Sequence, residues 1–412
     1  MLKLKPFIFY NIVFHILFLL VTSCSEEKNT IVSPPDIQYA FGTPPTVPEL
    51  PSDKCIEQGD SLFGMNEDLT TITSTERTFN VNAPLNCRLK SGKLEVRNFM
   101  AHEFKNVTVL LTVPYLKDTI KLMTFAQIPP FYEVRAESPL TEGEKIYATT
   151  SGRPVRTTNL HLLSAGQYQL HISCNDSILD IVHSNKMNTL IQMGTYDGGS
   201  WVKITPIQAR LFCAATVNLT LMLSSDLFAD SLLNYKGCKY DPDLSKTKID
   251  NNGVTHYYDN CGYPTTAQGL IRNDAGQATD RQKLLKDLRA KGRLVCGTVS
   301  GVAGLGGGDV FGIGTSYCYS CFYQNRLTLN SNYVISVMMH ELGHCTGYGH
   351  GSSVASNGYG ERYASVSEYI APTVYRILMQ NKKLPYIINP FKKYNDYDPD
   401  AEICDIDKTL QQ

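Results

Sequence analysis

The chain is 412 residues long, carries a formal net charge of −1, and is 42% hydrophobic with 19% charged residues. That length is enough for two or three domains with substantial cores, and the near-neutral balance excludes a polybasic nucleic-acid binder or a protein held by charge to an anionic surface. Tyrosine is abundant, at 24 residues against the single Trp201, and with many Thr and Val the composition leans toward strands.

The N-terminus has the pattern of a targeting segment. Lys3 and Lys5 precede an apolar run over residues 7–20 that is short for a transmembrane helix and is followed by small residues. Val21-Thr22-Ser23-Cys24 then resembles a bacterial lipobox, an ordinary secretory signal being the alternative. The resemblance implies a signal peptide over 1–23 and lipidation of Cys24. The acyl chains would anchor the protein to a membrane of the cell envelope, at the outer membrane or cell surface. Residues 24–52 hold Pro34, Pro35, Pro44, Pro45, Pro48 and Pro51 and are expected to be an extended tether.

Residues 53–205 are expected to be all-β and sandwich-like, with strands near 107–113, 168–173, 178–182 and 201–204 separated by turn-prone stretches such as Ser91-Gly92 and Ser151-Gly152-Arg153-Pro154. Such a region could be a spacer, a pro-domain or a binding module. A second, α+β domain is expected over 206–412. In it Val217, Leu219, Leu221 and Leu223 alternate with more polar residues, as in a half-buried strand. Residues 280–291 have the pattern of a helix closed by Gly292, and 294–299 that of a strand. The glycine-rich stretch over 301–310 lacks the Lys-Ser/Thr of a phosphate loop, so no nucleotide is expected.

The most specific feature is His340-Glu341-Leu342-Gly343-His344-Cys345-Thr346-Gly347-Tyr348-Gly349-His350. On a helix, His340 and His344 project from one side, where both imidazoles can reach one metal ion. They lie about 120° from an apolar stripe formed by Val334, Val337, Met338, Leu342 and Cys345, at 100° per residue. Asn330, Ser331 and Asn332 are candidate N-caps. Gly347 can take φ > 0 and turn the chain sharply, allowing His350 to return as a third ligand. Glu341 is placed to move a proton without binding the metal. From this composition the full pattern would arise by accident in on the order of one in 10⁵ chains of this length, which favours a ligand set over incidental histidines.

This eleven-residue pattern, HExxHxxGxxH, resembles the extended signature of the metzincin zinc metallopeptidases. The resemblance covers roughly 215–385. It implies Zn²⁺ held by His340, His344 and His350, with Glu341 as general base and acid, and a protein or peptide as substrate. The glycine-rich stretch resembles the lead into the edge strand that borders the substrate cleft in these enzymes. The order strand, helix, strands, motif helix matches their N-terminal subdomain. Tyr359 and Tyr363 stand where some members place a zinc-binding or oxyanion-stabilising tyrosine. One departure is that metzincins carry a methionine in a turn beneath the metal, whereas residues 351–369 contain none. Met379 follows in a stretch of helical spacing and is expected to be a packing residue there. The start of that helix is open between Ser365, which forms a capping box with Glu368, and Ala371 or Pro372. A surface-binding lipoprotein or adhesin with an accessory zinc domain is the alternative function.

Setting Cys24 aside, eleven of the twelve cysteines remain, and in an exported chain most are expected to pair. Cys238 with Cys261 is the most natural pair, and Cys318 and Cys321 would bond to other strands. The odd count leaves at least one thiol free or paired outside the chain, and permits Cys55 or Cys87 as a free thiol to occupy the open zinc position in a zymogen. The acidic clusters at Asp241, Asp243 and Asp250 and at Asp396, Asp398 and Asp400 lack EF-hand spacing, so Ca²⁺ is without support.

Overall fold

The computed structural model describes residues 35–51, 60–63, 77–194, 198–204, 206–234, 281–315, 329–348 and 365–385, with short stretches between 247 and 279. It is a mixed α+β structure organised around a six-stranded sheet. The strands are β1 (Thr78–Asn80), β2 (Leu190–Met193), β3 (Trp201–Val202), β4 (Arg293–Val299), β5 (Gly304–Gly307) and β6 (Val310–Gly314). Their order is β5-β6-β4-β2-β1, with β3 paired to β4. β2, β4 and β6 are mutually parallel, whereas β5 runs antiparallel to β6 at one edge and β1 antiparallel to β2 at the other.

Among the described residues the α-helices are α1 (Ser177–His183), α2 (Pro206–Ser224), α3 (Asp226–Leu233), α4 (Arg281–Arg289), α5 (Leu329–Cys345) and α6 (Ser365–Gln380). One sheet face carries α2 and α5. Phe311 of β6 meets Phe212 of α2 edge-on at 5.7 Å. Gly306, the cross-strand partner of Phe311 and so on the same face, abuts α5. The opposite face carries Trp201. Its indole lies over the paired Gly297 and Gly312, where an added Cβ would fall 3.0 Å and 2.6 Å from the ring. These two glycines are a shelf for the single tryptophan.

Three further sheets lie in the N-terminal half. Phe104–Thr112 pairs with Ile120–Ile128 and Gln169–Ser173, alternating buried Val107, Val109 and Leu111 with more exposed residues. Leu85–Lys90, Lys93–Asn98 and Tyr132–Glu137 form a second antiparallel group. The expected tether is strand from Ile37–Tyr39, which pairs with Val155–Thr158, and again at Glu49–Leu50, which pairs with Ile120–Ile128. Both are sheet-edge strands, where flanking prolines remove no ladder bond.

Two strand expectations are corrected. Residues 178–182 lie in α1, because the Asp176 side chain caps it by accepting from the Ile178 N–H at 2.9 Å. Residues 217–223 lie in α2. Residues 212–224 are all buried, so no solvent face exists to imprint a helical period. Most polar groups at the positions that mimic strand alternation find partners inside the helix layer, the buried Asn218 Oδ1 having none among the described residues. Thr216 Oγ1 donates to the Phe212 carbonyl at 2.8 Å, Thr220 Oγ1 to the Thr216 carbonyl at 2.9 Å, and Asn218 Nδ2 to Tyr375 Oη at 3.0 Å. The helix expected over 280–291 and the strand over 294–299 are α4 and β4, closely matching in extent.

The boundary expected at 205/206 does not separate two cores. β1, β2 and β3 precede it yet share one sheet with β4, β5 and β6. A single apolar cluster runs from Leu62 to Leu384. Arg210 of α2, 2% exposed, donates from Nε to the Phe63 carbonyl at 3.1 Å and stacks its guanidinium 5.8 Å from the Phe131 ring centre.

Candidate metal and catalytic site

α5 carries the motif. It begins at Leu329, one residue before the expected caps. Val337, Met338, Leu342 and Cys345 are buried as the apolar stripe requires, and so are Ile335, Met339 and Glu341. His340 and His344 are half-buried, with ring centroids 5.0 Å apart and planes at 85°. Two imidazoles side by side on one helix fit a borderline-soft divalent metal in their donor type. Among the described residues no group of three or more His, Cys, Asp or Glu side chains is gathered to hold a metal. The third motif histidine, His350, lies outside the described residues, as do Tyr359, Tyr363, Cys24, Cys55 and the two acidic clusters.

The helix ends as the sequence requires. Gly347 has φ of 88°. The Gly347 N–H donates to the His344 carbonyl at 3.1 Å and the Tyr348 N–H to the Gly343 carbonyl at 3.0 Å. This is the Schellman pattern, with Gly347 as its left-handed residue. Tyr348 is fully buried, and its hydroxyl donates to Asp287 Oδ2 of α4 at 2.6 Å; Asp287 also accepts from Lys283 Nζ at 2.5 Å. A cleft of about 700 Å³ opens at this end of α5, between His344, Thr346 and Gly347 on one side and Gly306, Lys283 and Lys291 on the other.

Glu341 is 5% exposed and lies against the edge strand β5. The glycine-rich stretch is thus itself the edge strand, and its composition has a steric cause: Gly304 and Gly306 face the motif helix at Glu341. This contact and the Tyr348–Asp287 bond were not apparent from the motif. The available signal was the alternation of glycines, since residues two apart on a strand share a face.

The cysteines expected in disulfides, Cys238, Cys261, Cys318 and Cys321, lie outside the described residues. Each of the five among the described residues, Cys87, Cys174, Cys213, Cys296 and Cys345, is a free thiol. Cys213, Cys296 and Cys345 are enclosed in the core and pack as small apolar side chains. Cys345 Sγ also donates to the Val310 carbonyl at 2.9 Å, fastening α5 to β6. Burial pushes the Cys87 thiol up to about 12, with nearby Arg97 opposing.

Met379 is 7% exposed within α6, a helix that packs along α5. It is a packing residue, as its spacing suggested. α6 runs from Ser365 with Pro372 in its interior, which resolves where this helix starts. Among the described residues no single helix is long and apolar enough to cross a membrane.

Compared with known protein families, curated proteins and solved structures, the chain gives no match.

Proposed function

We propose that this chain is an exported, lipid-anchored zinc endopeptidase of the metzincin type, cleaving proteins or peptides. In this reading a sandwich-like β region stands before the catalytic part, and Cys24 carries the lipid. The observation that carries the proposal is the helix α5: paired half-buried imidazoles at His340 and His344, Glu341 between them in sequence, and a Schellman turn at Gly347 that ends the helix three residues before His350 in sequence. Support also comes from β5, an antiparallel edge strand beside α5 to which an extended peptide could add by main-chain hydrogen bonds.

His340, His344 and His350 would hold the zinc ion. When bound, zinc supplies a Lewis acid that polarises the scissile carbonyl and makes water a nucleophile at neutral pH. Glu341 takes a proton from the attacking water and delivers it to the departing amine, so the C–O bond forms as the C–N bond breaks and the amine leaves protonated. Burial of Glu341 keeps its carboxylate from exchanging freely with bulk water while leaving it on the side of α5 that meets the edge strand.

The test is Glu341→Ala. With fluorescently labelled casein as substrate, we expect cleavage to fall by several orders of magnitude while zinc content stays at the wild-type level, since the proton carrier is lost and the ligands are not. Undiminished cleavage by the variant would show that another group moves the proton.

A further inference from the structure

We infer that Gly304 and Gly306 of the edge strand are positioning residues for Glu341, each acting on a different part of it. The inference rests on the peptidase reading for its consequence in catalysis, but its geometry stands on the strand and helix alone. β5 presents alternate residues to α5, and the two that face the helix are both glycine. A Cβ at residue 304 would lie 2.5 Å from Glu341 Cγ and 2.6 Å from Oε1. A Cβ at residue 306 would lie 2.9 Å from the Glu341 carbonyl carbon and 3.0 Å from its Cα, and closer still to its carbonyl oxygen. A Cβ at Gly307, the next residue, would meet nothing within 4 Å.

None of these three glycines has a backbone conformation that forbids a side chain, so contact alone distinguishes them. Gly304 bounds the space in which the carboxylate sits. Gly306 bounds the approach of the helix backbone at Glu341, one residue from His340 and three from His344. A wall without side chains lets α5 lie close enough to the sheet edge for the base and the ligands to share one position relative to β5. Because Glu341 is 5% exposed, its carboxylate cannot give way into solvent without leaving that position.

The two contacts should separate on mutation. Gly304→Ala should displace the carboxylate, lowering kcat on labelled casein by about 100-fold with little change in KM and full zinc content, since misplacing a reacting group by about 1 Å costs that much. Gly306→Ala should move the helix itself and weaken zinc binding, measured by competition with a chromogenic chelator, by at least tenfold. Gly307→Ala should leave the thermal midpoint unchanged. Stability gives a readout independent of activity: Gly304→Ala should lower the midpoint, and the Gly304→Ala/Glu341→Ala double variant should recover most of the loss, because the clashing carboxylate is gone. Additive midpoint shifts in that cycle, or a Gly304→Ala enzyme with wild-type kcat, would overturn the inference. A wild-type chain that binds zinc but leaves casein intact would count against the peptidase reading, and the stability cycle would still decide the steric assignment.

Discussion

At the scale of single residues, burial decides which reactive-looking groups are reactive. Cys213 and Cys296 are fully buried, and burial drives both thiols well above their ordinary range. Native protein at pH 8 should therefore resist alkylation at both positions and label only on unfolding, as peptide mapping after maleimide treatment would report; rapid labelling of the native chain would mean the core is open there. The same shift has a pH consequence. With Cys87 neutral up to about 12 in the fold and ionising near 9 in the unfolded chain, folding is favoured below pH 9, and that contribution is lost as pH rises from 9 toward 12. Chemical denaturation across that window should show stability falling, and replacing Cys87 with Ala should flatten the fall. Met379 illustrates the same point for a residue that a family resemblance would make special. As one buried side chain of α6, Met379→Leu should cost less than about 1.5 kcal/mol and leave zinc affinity unchanged.

At the scale of elements, the motif helix was legible and the helix beside it was not. His340, Glu341, His344 and Gly347 each have a fixed place in a helix and its terminating turn, so spacing alone determined their relations. α2 hid because it is buried on every side: Thr216 and Thr220 bond back to their own helix and Asn218 reaches Tyr375, leaving a period of two in the sequence with no strand behind it. The glycines of β5 were visible as composition, but their reason, the approach of Glu341, depends on a partner 37 residues away in sequence for Gly304. The Tyr348–Asp287 bond between the end of α5 and α4 was likewise invisible, since it joins residues 61 apart. Removing that hydroxyl by Tyr348→Phe should destabilise the protein by about 1–2 kcal/mol, because a buried tyrosine loses a charge-assisted bond. An unchanged denaturation midpoint would mean the bond contributes nothing in solution.

At the scale of the whole molecule, the sequence divides near residue 206 where the structure does not. The composition shift between a strand-rich first half and a mixed second half is real, but pairing across it is a long-range event with no local signature. β2 lies between β1 and β4, and Arg210 reaches back to Phe63, so the second half lacks part of its sheet when cut away. Residues 206–412 expressed alone should therefore fail to give a cooperative thermal transition, whereas the chain from residue 35 onward should show one; a well-folded fragment would place the division back at 206. In the whole molecule α5 lies against β5 with His340 and His344 half-buried. The most direct measurement of the central claim is the zinc stoichiometry of the full chain by elemental mass spectrometry, set against the triple variant His340→Ala/His344→Ala/His350→Ala. The account predicts one tightly bound zinc per wild-type chain and none in the variant; full occupancy in the triple variant, or no zinc in the wild type, would contradict it.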